Sequence, residues 1–242
     1  MMQGSSTLQK FVKELQPSKI AVITHVNPDP DAVAASIIVE RALKELLASD
    51  VILVFPEGPS KISKIALTRL GLRVCYKMHP PPDSDAFIVI DTPSSSQLSS
   101  AAYMVMTRLE KTLVIDHHEG GGDLLEGSRY VVWSPEAACT VLAVELLRQV
   151  GGKVEGSLAT LAIAGILYDT ARFRYVTPAA LRVTADLIEW GGSYETALDV
   201  LKEEVSLSER VAVLKAASRS LVMRVGDLLI VGTYCLLYTS DA

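Results

Sequence analysis

The stretch that decides the fold is TLVIDHH at residues 112–118, in which an apolar run passes directly into an aspartate and two histidines. Two other apolar runs end in the same way, IAVITH at 20–25 and AFIVID at 86–91. All three are rich in β-branched residues and lack a clean two-residue alternation, which is typical of strands buried in a parallel sheet. Because parallel strands end at one edge of a sheet, the polar residues that follow them are expected to meet in one crevice.

The segments between these runs have helical spacing, so the sequence predicts an α/β fold in which helices flank a parallel sheet. Proline near a helix start and glycine after a helix end support several of the helix boundaries. The predicted strands are 20–24, 51–55, 86–90 and 112–115. The predicted helices are 32–47, 62–70, 137–150, 158–168 and 178–190.

The character of the sequence changes after Gly192. Two further helical segments are predicted at 194–204 and 207–220. Residues 221–232 have an alternating pattern, which predicts a hairpin that turns at Gly226. The predicted organisation is a first α/β domain at 1–192, linker helices at 193–220 and the start of an incomplete second α/β domain at 221–242.

The composition is typical of a globular protein that does not cross a membrane. Apolar residues make up 49% of the 242 residues and charged residues 21%. The longest uncharged stretch, 156–168, is too short to span a bilayer. Lys10, Lys13 and Glu14 interrupt the N-terminal sequence before an apolar run of signal-peptide length develops, so the cytoplasm is the expected location.

The charge and the cysteines exclude some functions. A formal net charge of -5 argues against a broad basic surface for long duplex nucleic acid and leaves a short anionic substrate open. Cys75, Cys139 and Cys235 lack the spacing of a zinc site or a redox pair, so free thiols are predicted. Trp133 and Trp190 are predicted to be packing residues rather than base-stacking platforms.

Six carboxylate and imidazole side chains are candidate metal ligands, because five follow predicted strand ends and one ends an apolar helix. They are His25, Asp29, Asp31, Asp91, His117 and Asp169. A set without thiolates suits manganese or magnesium better than structural zinc, although imidazole also admits zinc, cobalt or iron, and manganese is the first choice. Two such ions can clamp the attacking and leaving oxygens of a phosphoryl group, which requires a bridging carboxylate. Asp91 is the best candidate for that bridge.

Four segments, in this order, resemble the motifs of the DHH phosphoesterase superfamily. They are HVNPDPDA at 25–32, FIVIDT at 87–92, VIDHH at 114–118 and GILYDTARF at 165–173. The resemblance extends over roughly residues 18–192. It is closest to the archaeal and bacterial branch that contains NrnA-like oligoribonucleases, phosphoadenosine-phosphate phosphatases and cyclic-dinucleotide phosphodiesterases.

The resemblance implies a role for each residue of the set. His25 and Asp29 would hold one ion, Asp31, His117 and Asp169 the other, and Asp91 would contact both. Asp116 would orient an imidazole by accepting its distal N–H, and His118 would donate to a phosphate oxygen or to the leaving group. Asp91, Asp116 and His118 are thus the predicted catalytic residues, and His118 is also a predicted substrate contact.

Arg172 and Arg174, which follow Asp169, are further candidates for substrate phosphate contacts. The resemblance does not extend to these two side chains, and a solvated surface position is the alternative for both. Pro30 stands where many family members have glycine, and this difference leaves every ligand type in place.

The resemblance also implies a second, substrate-binding domain of the type called DHHA1. Residues 205–220 resemble the linker helix that precedes it and 221–234 resemble its opening hairpin, whereas its Gly-Gly-His signature is absent from the sequence. Residues 235–242, CLLYTSDA, look like a translated sequencing adaptor, so the chain is expected to be truncated within this domain. Family members are often dimers, which makes a homodimer the expected assembly.

The expected function is metal-dependent hydrolysis of phosphodiester or phosphomonoester bonds in short nucleotides. Oligonucleotides, bisphosphorylated adenosine, and linear or cyclic dinucleotides are the candidate substrates. Two alternatives stay open: hydrolysis of inorganic pyrophosphate or polyphosphate, and a non-catalytic role as a nucleotide-binding or replication scaffold. A non-catalytic scaffold would be expected to lack one or more of the metal ligands, whereas this sequence keeps all six.

Overall fold

The computed structural model describes residues 4–47, 50–202 and 207–234. The chain divides into two compact units, Met1–Lys202 and Glu203–Ala242. Within the described residues, the first unit has a six-stranded sheet and the second a two-stranded sheet.

The sheet of the first unit confirms the predicted parallel α/β architecture. Its strands are β1 (Lys19–Thr24), β2 (Asp50–Val54), β3 (Tyr76–Lys77), β4 (Ala86–Ile90), β5 (Thr112–Asp116) and β6 (Tyr130–Trp133). All neighbouring strands pair in parallel, in the order β3-β2-β1-β4-β5-β6. The four predicted strands are confirmed, whereas the short edge strands β3 and β6 are additional.

The helices of the first unit lie along the chain between and after these strands. They are α1 (Gly4–Leu15), α2 (Pro30–Leu46), α3 (Lys61–Arg69), α4 (Ala102–Met106), α5 (Asp123–Gly127), α6 (Cys139–Gln149), α7 (Gly156–Asp169), α8 (Pro178–Glu189) and α9 (Tyr194–Val200). All five helices predicted between 32 and 190 are present, and α1, α4 and α5 are additional. Among the described residues, every helix is too short or too polar to serve as a membrane span.

The central strands are buried on both faces. Along β1, Ile20 and Val22 belong to one core with residues of α2, α6 and α7. Ala21 and Ile23 belong to a second core with Val105 of α4 and residues of α5. Because both faces of the strand are apolar, the sequence shows a continuous apolar run instead of an alternation.

A crevice lies where β1 and β4 end, because the chain order reverses there. The strands β2 and β3 lie on one side of β1, and β4, β5 and β6 lie on the other. Thr24 pairs with Ile90 at the last register position, so the next residues, His25 and Asp91, leave the sheet as neighbours. Open α/β sheets bind their ligands at such a switch point.

Helix α7 packs tightly against the start of α2, and this contact sets the position of Asp169 at the end of α7. A Cβ atom at Gly165 would lie 3.0 Å from Asp31 Cα and 3.1 Å from Pro30 O. It would also lie 2.9 Å from Thr140 Oγ1 of α6. The first two atoms belong to the backbone that carries Asp31, so they cannot move aside without displacing the side chains at the crevice.

Gly165→Ala is therefore expected to lower the free energy of unfolding by about 1–2 kcal/mol. An overpacking cost of ~1–3 kcal/mol exceeds the gain of up to ~1 kcal/mol in helix propensity. Urea unfolding followed by circular dichroism measures the change. Gly232→Ala is the control, since a Cβ atom at Gly232 meets no described atom within 4 Å. A Gly165→Ala protein as stable as the parent would contradict the tight contact.

The second unit contains a helix and a hairpin within its described residues. They are α10 (Leu207–Ser218) and the antiparallel strands β7 (Leu221–Val225) and β8 (Leu228–Gly232). The hairpin turns at Gly226, whose φ is 60°, and confirms the predicted hairpin. Thr233 Oγ1 donates a hydrogen bond to Ala216 O at 2.5 Å and ties the hairpin to the end of α10.

The division between the units follows Lys202 rather than the predicted residue 192. The reason is α9, which was assigned to the linker from the sequence. Its Ala197 and Val200 are buried in the first core, so this helix belongs to the first unit. The assignment of 221–242 to a DHHA1-type domain stays a prediction, and the adaptor-like residues 235–242 lie outside the described part of the chain.

Candidate metal centre

His25 leaves the sheet directly after β1. Its Nδ1 lies 2.8 Å from Val26 O, so in the neutral ring this nitrogen carries the proton and donates to the carbonyl. The other ring nitrogen, Nε2, then keeps a free lone pair and lies 3.8 Å from Asp91 Oδ2. This is the arrangement that a metal-binding histidine requires, with the tautomer fixed by the nitrogen that does not bind.

The start of α2 supplies two carboxylates. Asp29 is the N-cap, and its Oδ1 accepts from the backbone N–H groups of Asp31 at 2.9 Å and Ala32 at 3.1 Å. The cap fixes the carboxylate and leaves Oδ2 for a ligand. Asp31 is fully buried and accepts from the N–H groups of Cys139 at 2.6 Å and Thr140 at 3.0 Å, at the start of α6. Each carboxylate is therefore held by main-chain donors before any ion binds.

Asp91 follows β4 with a left-handed backbone, since its φ is 62°. This conformation is uncommon outside glycine, although Asp and Asn tolerate it better than most residues, and such strain clusters at functional sites. Its side chain is 3% exposed, and Oδ1 has no hydrogen-bond partner among the described residues. A buried carboxylate oxygen without a partner is costly unless a cation or a proton satisfies it.

His117 directs one nitrogen to the protein and the other to the crevice. Its Nδ1 lies 3.0 Å from Glu136 O and donates to it in the neutral ring. Its Nε2 lies 3.2 Å from Asp91 Oδ1 and 3.2 Å from Asp169 Oδ2. Yet Nε2 is buried and forms no hydrogen bond of normal geometry within the described residues. One nitrogen and two carboxylates thus converge on a common point, as ligands do around a cation.

The ligand atoms form two clusters that share Asp91. The first cluster is His25, Asp29 and Asp91, and the second is Asp31, Asp91, His117 and Asp169. A third group, Asp91, His117 and His118, overlaps the second cluster. Within each cluster the ligand atoms lie within 4.8 Å of one another. The structure therefore brings all six predicted ligands together at the switch point. Oxygen and imidazole donors fit divalent cations, and two of them, Asp91 Oδ1 and His117 Nε2, are buried without a hydrogen-bond partner among the described residues.

The electrostatics of the site favour added positive charge. Burial, reinforced by the charges of Asp169 and Asp29, raises the pKa of Asp31 to about 7. Burial also raises the pKa of Asp91 well above its ordinary value. For His117, burial lowers the pKa, but the carboxylates of Asp169 and Asp91 outweigh it and raise the pKa to about 11. The buried groups Asp31, Asp91 and His117 thus share protons in the absence of metal, and cations would take the place of those protons.

Asp116 and His118 form a pair beside the two clusters. Asp116 is fully buried, and its Oδ1 accepts from His118 Nδ1 at 2.8 Å. The His118 side chain is about half exposed, and its Nδ1 lies 3.9 Å from Asp91 Oδ1. Because Asp116 holds the Nδ1 proton, Nε2 is the ring nitrogen left for a substrate. The imidazole that Asp116 orients is therefore that of His118, whereas His117 is oriented by Glu136.

Trp133 lies beside this pair at the end of β6. Its Nε1 donates to His118 O at 2.8 Å, and its backbone is in register with Asp116. The residue is 47% exposed, so it fixes the backbone after the two histidines without being part of a core. Trp190 packs against the first core, as predicted.

The two arginines predicted to contact phosphate lie in different surroundings. Arg172 lines a surface depression together with residues of α9. The guanidinium carbon of Arg174 lies 5.6 Å from the ring centroid of Tyr175, and Tyr175 lines a cavity beside His117 and Asp169. Arg174 is thus adjacent to a wall of the candidate site, whereas Arg172 lines a separate depression. A phosphate contact by either arginine stays a prediction.

Glu136 and Thr177 belong to the site and were not identified from the sequence. Besides its carbonyl contact with His117, Glu136 accepts through Oε2 from Thr177 Oγ1 at 2.6 Å. Thr177 is also the N-cap of α8, where its Oγ1 accepts from Ala180 N at 3.2 Å. The Thr-Pro pair at 177–178 is a sequence signal for the cap. The carbonyl of Glu136 has no sequence signal, because any residue supplies one.

Thr177→Val is expected to lower the free energy of unfolding by about 1–2 kcal/mol, because α8 loses its cap and Glu136 loses a hydrogen-bond donor. Thr177→Ser keeps the hydroxyl and is the matched control. Thermal unfolding followed by circular dichroism compares the two variants with the parent. Equal midpoints for the valine and serine variants would mean that the hydroxyl does not stabilise the start of α8.

The fold and the site define the class of protein as α/β, with clustered carboxylates and imidazoles at the switch point of a parallel sheet. Residues 19–166 match the DHH family, N-terminal domain. This match covers more than half of the chain, and the chain belongs to the DHH family. The resemblance to the DHH superfamily is thereby confirmed, and the match spans three of the four sequence motifs and the start of the fourth.

Among characterised relatives, the chain is similar to the bifunctional oligoribonuclease and PAP phosphatase NrnA of Thermus thermophilus. The two are 29% identical over 175 residues, which cover 71% of this chain and 50% of that protein. A probable manganese-dependent inorganic pyrophosphatase of Deinococcus radiodurans is 28% identical over 158 residues, covering 65% of this chain and 49% of that protein. The chain thus spans about half the length of these curated relatives.

A solved structure supports the fold. An exopolyphosphatase-related protein from Bacteroides fragilis superimposes with a TM-score of 0.70 over 90% of this chain and 66% of that chain. The two sequences are 17% identical, so the likeness concerns the architecture alone.

Proposed function

We propose that the protein is a manganese-dependent phosphoesterase that hydrolyses phosphodiester or phosphomonoester bonds of short nucleotides. One observation carries the proposal: two clusters of ligand atoms share the buried carboxylate of Asp91 at the switch point of the sheet. Membership of the DHH family and similarity to an NrnA protein support it. Oligonucleotides, bisphosphorylated adenosine, and linear or cyclic dinucleotides are the proposed substrates.

In this proposal the first cluster would hold one cation, the second cluster would hold the other, and Asp91 would be a ligand in both. Manganese fits best because the donors are carboxylate oxygens and imidazole nitrogens, and magnesium or cobalt can replace it. Divalent cations at such a site activate water at neutral pH and neutralise charge on the phosphoryl oxygens. The chain contributes ligands that its own backbone N–H and C=O groups hold in place, at Asp29, Asp31 and His117.

His118 and Asp116 complete the proposed catalytic set. Asp116 fixes the ring of His118 through Nδ1, which leaves Nε2 of a half-exposed histidine to face the substrate. When both ring nitrogens carry protons, Nε2 is placed to donate one to a phosphate oxygen or to the leaving oxygen. Asp116 acts through His118, as carboxylates do that fix the tautomer of a catalytic imidazole.

Hydrolysis of inorganic pyrophosphate is the second candidate. Similarity to a probable manganese-dependent inorganic pyrophosphatase favours it, and the ligand set suits either reaction. A non-catalytic nucleotide-binding scaffold is a weaker alternative, because the six ligands are all kept and their donor atoms converge. A homodimer and a cytoplasmic location stay predictions from the sequence.

The test incubates the full chain and manganese with a short RNA, a bisphosphorylated adenosine, a cyclic dinucleotide and pyrophosphate. Asp91→Asn removes the shared ligand, and Asp50→Asn is the matched control, since Asp50 starts β2 at the opposite edge of the sheet. We expect the parent and Asp50→Asn to hydrolyse a nucleotide ester and Asp91→Asn to be inactive. Turnover of pyrophosphate alone would favour the second candidate. Equal activity of all three proteins, or binding of manganese without any turnover, would refute the phosphoesterase proposal.

A further inference from the structure

The cavity beside the second cluster is lined by both charged and apolar side chains. Its volume is about 390 Å³, which is within the range of pockets that bind small organic molecules. His117, Glu136 and Asp169 line one part of it with imidazole and carboxylate groups, and Tyr175 and Val176 line another with apolar surface. A ligand that fills this cavity would therefore carry a charged group at the cluster and an apolar group at Tyr175.

Tyr175 is exposed although its ring is large and partly apolar. The residue is 65% exposed, and Val176 beside it is 38% exposed. The guanidinium carbon of Arg174 lies 5.6 Å from the centroid of the Tyr175 ring. The ring is thus held by a cation–π contact and keeps most of its surface free. The packing of the core does not require an aromatic residue at this position.

The backbone before Tyr175 is strained and is held in place by main-chain hydrogen bonds. Three successive residues before it, Ala171, Arg172 and Phe173, have left-handed φ angles of 48°, 58° and 67°. This turn is held because Tyr175 N donates to Thr170 O at 3.0 Å and Arg172 N donates to Leu167 O at 2.8 Å. Strained non-glycine backbone is retained mainly where function uses the resulting geometry. Here it connects the ligand Asp169 to the cavity wall in only six residues.

We propose that Tyr175 is a specificity-determining residue that stacks on the nucleobase of the substrate while the phosphate reaches His117 and Asp169. The inference rests on the proposed phosphoesterase function and names its substrate class as nucleotides rather than inorganic pyrophosphate. Every nucleobase has a flat π-face that stacks on an aromatic side chain. Pyrophosphate has no apolar group, so Tyr175 and Val176 would contribute nothing to its binding.

Binding of two product-like ligands tests the inference without turnover. Isothermal titration of the manganese-loaded full chain measures the affinity for adenosine 5′-monophosphate and for inorganic phosphate. Tyr175→Ala is expected to weaken nucleotide binding about tenfold and to leave phosphate binding within about twofold, since stacking acts on the base alone. Tyr175→Phe keeps the ring and is expected to bind like the parent. Tyr103→Ala is the control, because Tyr103 is 79% exposed and does not line this cavity.

Three results would overturn the inference. The first is nucleotide binding by Tyr175→Ala that equals that of the parent, and the second is a parent that binds nucleotide no tighter than phosphate. The third is an equal loss of affinity for nucleotide and phosphate, which would mean that the ring supports the cavity and does not stack on a base.

Kinetics separate this inference from the proposed function. Tyr175→Ala is expected to raise KM for a linear dinucleotide about tenfold with kcat within about threefold of the parent, and to leave pyrophosphate hydrolysis unchanged. Absence of turnover in the parent would sink the phosphoesterase proposal, and the binding titration would still decide the role of Tyr175. Turnover by the parent with an unchanged KM in Tyr175→Ala would sink only the stacking inference.

Discussion

Asp91→Asn is expected to empty both metal clusters and to lower phosphoesterase activity on the order of 10³-fold or more. Asp91 is the ligand common to both clusters, so its loss affects two cations at once. Asparagine is a better replacement than alanine because the φ of 62° at this position is tolerated by Asn and strained in Ala. The variant therefore changes the ligand without forcing the backbone.

Bound manganese per chain, measured by mass spectrometry of the metal after desalting, checks this expectation. We expect two ions in the parent and fewer than one in Asp91→Asn. Asp29→Asn is the matched control, because Asp29 belongs to the first cluster alone and Asn is an equally good N-cap for α2. It is expected to keep the second ion. Equal metal content in Asp91→Asn and the parent would mean that Asp91 does not bridge the clusters.

Thermal unfolding of Asp91→Asn with and without manganese distinguishes a loss of metal binding from a loss of folding. Burial raises the pKa of Asp91 well above its ordinary value, so the cost of desolvating the charged carboxylate outweighs its attraction to His117 in the metal-free protein. The metal-free variant should therefore unfold at or above the midpoint of the metal-free parent. Manganese at a thousandfold excess over Kd should stabilise the parent by ~4 kcal/mol, and the variant by far less.

The sequence predicted those parts of the fold that depend on local pattern. The strands β1, β4 and β5 are continuous apolar runs because both of their faces are buried. The edge strand β3 has two exposed residues, so it leaves no apolar pattern to detect. Helix α1 was not predicted from the sequence, although its apolar spacing at 8, 11, 12 and 15 is helical.

The candidate site also has parts that could be predicted from the sequence and parts that could not. Its metal ligands follow strand and helix ends and could be predicted from one sequence, because polar residues after apolar runs meet at one sheet edge. The groups that hold these ligands could not be predicted. Asp31 is held by the N–H groups of Cys139 and Thr140, and His117 by the carbonyl of Glu136. Main-chain groups are the same in every residue, so only the packing of α6 against α2 identifies which ones act.

The Asp116–His118 pair shows what the structure adds to a motif. In the sequence, Asp116 was equally able to orient either of the two histidines that follow it. In the structure, His117 donates to Glu136 O instead, and Asp116 lies 2.8 Å from His118 Nδ1. The two histidines of the motif therefore have different environments, one nearly buried among carboxylates and one about half exposed.

His118→Gln is accordingly expected to lower kcat about 10²–10³-fold while the manganese content stays at two ions per chain. The side chain is a proton donor to the substrate in this proposal, because Asp116 occupies its Nδ1 and the ring is about half exposed, although His118 also lies in a group with Asp91 and His117. Steady-state kinetics on a linear dinucleotide, with metal analysis of the same preparation, measure both quantities. Loss of metal in His118→Gln would instead make His118 a ligand.

Asp116→Asn is expected to lower kcat about 10–100-fold, because the carboxylate acts by fixing the ring of His118. A double-mutant cycle tests whether it acts through that ring. If it does, the Asp116→Asn, His118→Gln double variant will be no slower than His118→Gln alone, since the second change removes a partner that is already lost. Multiplicative losses would show that Asp116 acts separately from His118. In that case its buried carboxylate would have to exert its effect directly on the neighbouring metal clusters.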